Sequence, residues 1–277
     1  MTEFLKKIFL YSFLFSLLII VYSKIYELKI YEKREEFVKF IKYKNENNIV
    51  LGSSHSRDIT PNGFYNFGSG SQTLDLSLTV LNDLLQKSRI DTILLVISPF
   101  HFQHIQDKSS EFYIKYNYPQ LKVNIIERFL FDIEKKSRII ELFQNKKTFS
   151  INKPTQKDFL LKRHHIGDGL FAGKIFFDKI VNQSIKNKIE LIVLIPPYLD
   201  EYLEVINTKK YFESSIKYIE KRQKEGTVRF IDLRNFFKDK KNPYSFFSDA
   251  DHLTKKSGEI ISKHLDSLFK TINLKKY

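Results

Sequence analysis

The segment Phe246 to Thr254, FFSDADHLT, places Asp249 three residues before His252 at the start of a predicted helix. An imidazole acts as a general base when a carboxylate orients one ring nitrogen and leaves the other facing a nucleophile, and one turn can hold such a pair together. Two further segments carry groups of a complementary kind. Leu51-Gly52-Ser53-Ser54-His55-Ser56-Arg57-Asp58 follows one apolar run, and Asn66-Phe67-Gly68-Ser69-Gly70-Ser71-Gln72-Thr73 follows the next. A Gly-Ser turn at a strand end lets the backbone swing into a helix whose free N–H groups face a ligand, and two such turns supply adjacent donors for an oxyanion. Taken singly, each segment equally suits ordinary capping by Ser, Gly or Asp. The chain contains no Cys, which removes thiolate catalysis, disulfides and cysteine-bound metal and leaves hydroxyl, carboxylate, imidazole and amine chemistry.

Those turns need a frame. Short apolar runs rich in Val and Ile occur at Asn48–Leu51, Gly63–Phe67, Thr92–Ser98, Leu191–Ile195 and Val228–Leu233. Uninterrupted runs of this kind fit strands buried on both faces, as in a parallel sheet covered by helices. Helical periodicity fills 73–88, 170–187, 211–224 and 254–272, so the chain reads as a three-layer α/β/α sandwich on a parallel five-stranded sheet. In such a sheet ligands bind beyond the carboxyl ends of the strands, where the polar turns stand. Residues 103–168 are too long for a crossover and read as a helical insertion, helical at 121–145, that forms either a lid or partner surface or a scaffolding helix with a loop. Within it His164-His165 lie near Asp168 but lack spaced partners, so they read as a solvated loop, and no metal or other cofactor is expected.

The amino terminus is of another kind. From Ile8 to Ser23 no residue is charged, and Lys7 and Lys24 bracket the run. The run is slightly short for a spanning helix, but snorkelling of the flanking lysines and extension by Ile25 and Tyr26 make a transmembrane anchor over about 8–23 the reading, with a cleaved signal or a buried core helix as alternatives. Residues 24–46 repeat apolar positions among many charges, as a helical stalk or as the first amphipathic helix of the globular part. The chain thus divides into a tail, anchor and stalk over 1–45 and an α/β domain over 46–277.

Taken together and in this order, the Gly-Ser-Ser turn, the Ser-Gly turn and Asp-x-x-His resemble the SGNH/GDSL hydrolase superfamily, serine esterases and acyltransferases on a flavodoxin-like sheet. The resemblance covers roughly residues 46–273. It implies that Ser54 is the nucleophile and that Asp249 and His252 complete the triad. It further implies that the backbone N–H groups of Ser54 and Gly70 form the oxyanion hole. Two blocks depart from the family pattern. The first reads Gly-Ser-Ser in place of Gly-Asp-Ser, as in membrane-anchored branches that handle envelope polymers. The third has Ser98-Pro99-Phe100-His101 where the family places an Asn, which leaves Ser98 or His101 as the replacement donor. His55 reads as a packing or capping residue or a substrate contact, and Arg57 as the partner of Asp58 or the binder of an anionic group. Pro196-Pro197-Tyr198 after the fourth strand reads as cleft wall.

Anchor and resemblance together lead to a membrane-anchored, extracytoplasmic serine esterase or O-acyltransferase of acylated cell-surface or lipid-linked glycan. The N-terminus is then cytoplasmic. The bilayer and a multispan membrane acyltransferase are the expected partners. The alternative is an inactive SGNH-like binding or assembly factor in envelope-polymer modification. The net charge of +14 does not make a nucleic-acid binder, because only 9 of the 46 basic residues are Arg and the lysines are spread along the chain.

Overall fold

Val, Ile and Leu without polar alternation form strands where both faces are covered, and the three longest such runs make the centre of one sheet. The computed structural model describes residues 3–22, 24, 47–68, 72–86, 88–98, 101–102, 172–206, 211–249 and 251–273. Its strands are β1 (Asn48–Gly52), β2 (Phe64–Asn66), β3 (Thr92–Val96), β4 (Glu190–Ile195) and β5 (Arg229–Asp232). They form one parallel sheet in the order β2-β1-β3-β4-β5. Asn48 pairs with Phe64 on one side and Thr92 on the other, and Thr92 pairs with Glu190. Ile49 to Leu51, Ile93 to Val96 and Leu191 to Ile195 are all buried, whereas the edge strand β5 is only partly covered. This burial difference follows from position: central strands have neighbours and helices on all sides.

The helices are α1 (Glu3–Tyr22), α2 (Leu74–Leu85), α3 (Ala172–Lys186), α4 (Asp200–Ile206), α5 (Tyr211–Lys224) and α6 (Lys255–Asn273). The crossovers carrying α2, α3 and α5 all step the same way across the sheet, so right-handed connection puts them on one face. There Phe177 of α3 packs on Tyr218 of α5, and Arg222 bonds Asp178 at 2.6 Å. Helix α6 packs elsewhere, Phe269 against Phe64 and His264 against Phe236. Sequence reasoning anticipated one helix between β4 and β5, and the structure has two. Pro196-Pro197 ends β4, and α4 then opens on Asp200 and Glu201 and buries Tyr202.

Chain direction reverses at β1, which leads outward to β2 and then back to β3 on its other side. The carboxyl ends of β1 and β3 therefore flank a topological switch point, the place where open α/β sheets bind ligands. Gly52 closes β1 there with φ +148°, and a Cβ on it would lie 2.6 Å from the Val96 carbonyl oxygen, so only glycine lets the strands stay paired while the chain turns.

Helix α1 starts ahead of the uncharged run, with Lys6 bonded to Glu3 at 3.2 Å. It is long and apolar enough to cross a membrane, with mean hydropathy 2.1 and no part of that stretch buried. The Ser16 hydroxyl donates to the Ser12 carbonyl at 2.9 Å, so this polar group is satisfied within the helix. The expected stalk and the insertion at 103–168, with its His pair, lie outside the described residues.

Candidate active site

After Gly52 the chain makes a single 3-10 turn over Ser54–Ser56. The Ser56 N–H and hydroxyl both donate to the Ser53 carbonyl, at 3.0 and 2.6 Å. A side chain from the next strand secures the turn from outside. Asn66 Nδ2 donates to the carbonyls of Ser56 at 2.8 Å, Ile59 at 3.1 Å and Arg57 at 3.3 Å, and to the Thr60 hydroxyl at 3.1 Å. Its Oδ1 accepts the Gly68 N–H at 2.7 Å. One amide therefore ties the turns after β1 and β2 together.

The other half of the site comes from a closed loop ahead of α6. Phe247 and Leu253 form an antiparallel bridge, and the Ser248 N–H donates to the His252 carbonyl at 2.8 Å. Within this loop Asp249 Oδ1 accepts the backbone N–H groups of His252 at 2.8 Å and Asp251 at 3.1 Å. The acid–imidazole pair stands just before α6, as the predicted helix over 254–272 implies, and the first turn of α6 is capped by the Thr254 hydroxyl on the Ser257 N–H at 3.2 Å.

The two halves meet. Ser54 Oγ lies 2.8 Å from His252 Nε2, and His252 Nδ1 lies 2.9 Å from each carboxyl oxygen of Asp249. Among the described groups Nδ1 faces acceptors, so in the neutral ring the proton sits on Nδ1 and the Nε2 lone pair faces the Ser54 hydroxyl. Burial alone would pull the imidazole down. Hydrogen bonds to Asp249 and Asp251, together with their charges, carry it up to about 9 instead. Burial likewise works to raise the Asp249 carboxyl, but the hydrogen bond from His252 and the charge of its ring outweigh burial and hold it below its ordinary value.

Of the other expected residues, Arg57 points outward and pairs with Asp58 at 3.4 Å. His55 is buried, with its ring stacked on His252 at 4.7 Å between centroids. His101 is buried too. Its Nδ1 accepts the Ser98 N–H at 2.7 Å, with the Ser98 hydroxyl 2.8 Å away, so Nε2 carries the proton and donates to the Gln72 carbonyl at 3.1 Å. Both ring nitrogens are engaged in latching the end of β3 to the chain leading into α2, and this arrangement leaves neither for an oxyanion. Gly70 and the turn around it lie outside the described residues. Tyr198, placed in the cleft wall from sequence, is buried and makes a T-shaped contact with the His55 ring, 5.6 Å between centroids. Burial and then the Asp251 charge push its hydroxyl well up, so it stays neutral.

Sequence reasoning missed Asn66 and Asp251. The signal for Asn66 was present as an Asx-turn, an Asn two residues before Gly68. Asp251 adjoins His252 in the same Asp-Ala-Asp-His segment.

No family model and no curated protein matches the chain. Its fold is similar to several solved structures. One is a GDSL-like lipase from Bacteroides thetaiotaomicron VPI-5482, at 12% identity over 90% of this chain and 100% of that one, with a TM-score of 0.43. Another is the lipase/acylhydrolase from Enterococcus faecalis, at 12% identity over 81% and 96%, with a TM-score of 0.43. A third is a catalytic mutant of an acetylxylan esterase from Geobacillus stearothermophilus, at 11% identity over 79% and 91%, with a TM-score of 0.41.

Proposed function

We propose that the chain is a serine esterase or O-acyltransferase that works through an acyl-enzyme on acylated glycan or lipid-linked glycan at a membrane surface. The observation that carries this reading is the unbroken line from both Asp249 oxygens through His252 to the Ser54 hydroxyl. In the first half-reaction Ser54 Oγ attacks the ester carbonyl carbon while its proton passes to His252 Nε2. The carbonyl–oxygen bond to the leaving alcohol then breaks as that oxygen takes the proton from Nε2. In the second, water or an acceptor hydroxyl gives its proton to Nε2 and attacks the acyl carbon, and Ser54 Oγ leaves and recovers the proton. Water in the cleft makes the reaction hydrolysis, and a sugar hydroxyl makes it transfer. Asp249 stabilises the imidazolium in both halves. The oxyanion is met by the Ser54 backbone N–H at the head of the 3-10 turn and, by the family resemblance, by that of Gly70.

The exposed apolar helix α1 supports attachment to a bilayer. In this reading the N-terminus is cytoplasmic, the α/β part works outside the membrane, and a multispan acyltransferase is the source or recipient of acyl groups. The test is labelling of the full-length protein in detergent with a fluorophosphonate. Wild type takes the label and Ser54→Ala does not. An unlabelled wild type, or equal labelling of Ser54→Ala, refutes the nucleophile assignment.

A second reading, a binding factor without turnover, is favoured by the engaged ring of His101 in the third turn. Loss of one oxyanion donor costs about 10²–10³ in rate. That reading predicts glycan binding by a protein that takes no label.

A further inference from the structure

Behind the Ser54–His252–Asp249 line lies a second row of the same residue types, which the acyl transfer does not use. Asp251 has its side chain wholly excluded from solvent. One of its oxygens stands 3.2 Å from His252 Nδ1 and the other 3.1 Å from His55 Nε2. His55 Nδ1 in turn lies 2.9 Å from Ser53 Oγ. The two imidazoles are nearly parallel, 10° apart, so a single carboxylate spans the edges of two stacked rings. Burying a carboxylate is costly unless its partners are well placed, and apolar side chains of similar volume would fill the same space.

We propose that Asp251, held in place by His55 and Ser53, is a second positioning carboxylate for the His252 ring, so that two acids fix the general base in one tautomer. This inference rests on the reading of Ser54 and His252 as nucleophile and base. In a Ser-His-Asp triad, losing the single orienting acid costs about 10⁴ in rate because the ring adopts the wrong tautomer. Here an Asp251 oxygen still stands 3.2 Å from Nδ1 when Asp249 is changed, close enough to take over the N–H with a small turn of the ring. Asn at 249 can also still accept the two backbone N–H groups that shape the loop. The described groups that face the His252 ring are Asp249 and Asp251 from its own loop and Ser54 and His55 from the turn after β1, with Tyr198 beyond His55.

Two measurements on the full-length protein in detergent test this. The first is kcat/KM for an activated acetyl ester. Asp249→Asn alone should lose about 10²-fold and Asp251→Asn alone about tenfold, while the double variant should lose about 10⁴-fold, the loss of a triad whose ring is no longer oriented. A 10⁴-fold loss in Asp249→Asn, with no further loss on adding Asp251→Asn, overturns the proposal. The second measurement needs no turnover. Nitrogen NMR of ¹⁵N-histidine follows the His252 titration, whose midpoint should fall at least tenfold in proton affinity in Asp251→Asn. His55→Phe keeps the ring stack but not the hydrogen bond, so it should move the midpoint the same way, and His55→Gln should partly restore it. Unmoved midpoints in both Asp251→Asn and His55→Phe sink the idea. If Asp251→Asn does not fold, His55→Phe alone decides. If the midpoints shift while wild type hydrolyses no ester, the positioning row stands and the enzyme reading falls.

Discussion

Replacing Asn66 by Asp changes one NH₂ group into an oxygen and nothing else in shape. In the native chain that NH₂ shares two hydrogens among three carbonyls and a hydroxyl of residues 56–60, while Oδ1 holds the Gly68 N–H. Asn66→Ala loses two donated and one accepted hydrogen bond, at roughly 1 kcal/mol net each, and so costs about 2–3 kcal/mol. Asn66→Asp keeps the accepted bond but sets an anionic oxygen against three carbonyl oxygens that stand 2.8–3.3 Å from Nδ2. Two lost donors plus the repulsion come to about 3–4 kcal/mol, or a fall in Tm of about 10 °C for a domain of this size. The turn that carries Ser54 loosens as well, so fluorophosphonate labelling at 25 °C slows even where the protein remains folded. Thermal melts and labelling rates of wild type, Asn66→Ala and Asn66→Asp check this order. The Asp variant should recover part of its loss as pH falls toward 4 and its new carboxyl takes a proton, because one donor returns. A melt of Asn66→Asp within 1 °C of wild type at pH 7 would show that the amide does not tie the turns together, and the account of how Ser54 is positioned would fail.

Other outcomes follow from the same geometry. With His252 carried up to about 9, only about one ring in a hundred is unprotonated at pH 7, so kcat/KM should climb about tenfold per pH unit from 7 and level off above 9. A profile that is flat between pH 7 and 9 contradicts the two-carboxylate environment of the ring. The raised proton affinity of His252 also stabilises the fold. That contribution is complete below about pH 6.5 and is lost as pH rises through 9, which a series of melts between those values detects as a falling Tm. Gly52→Ala puts a Cβ 2.6 Å from the Val96 carbonyl at a positive φ and should cost about 2–4 kcal/mol in denaturant titration, since overpacking and backbone strain add. Removing residues 1–24 should release the protein from membranes into buffer with labelling of Ser54 intact, as fractionation and the fluorophosphonate show. Continued sedimentation with membranes would assign attachment to another part of the chain.

Much of the sheet was legible because a strand buried on both faces writes itself as an unbroken apolar run, as in Ile93 to Val96 and Leu191 to Ile195. Strand ends were less so. Ile97 and Ser98 look like more of the same strand, yet Ser98 is already turned back on His101. Asp249 and His252 were readable as a pair because they act at short range, although the loop that presents them is closed by the Phe247–Leu253 bridge and not by a helix. The partners that sequence could not supply are the distant ones. His55 reads locally as a capping residue, and its real neighbours are Asp251 and His252, brought in from the far end of the fold. Asn66 reads as a turn former. The loop it secures precedes it on another strand's end, a relation that no local pattern expresses.

Ser54 and His252 are 198 positions apart in the chain. They meet only where α6 docks on the loop after β1. Gly258 passes so close to Asp58 that a Cβ would fall 2.1 Å from its carbonyl oxygen, Ser262 accepts the Thr60 N–H at 2.8 Å, and Asp266 accepts that of Asn62 at 2.7 Å. A ribosome delivers the serine early and the histidine late. Through most of its synthesis the growing chain therefore holds Ser54 without His252, and the contact between Oγ and Nε2 can form only in the step that seats α6.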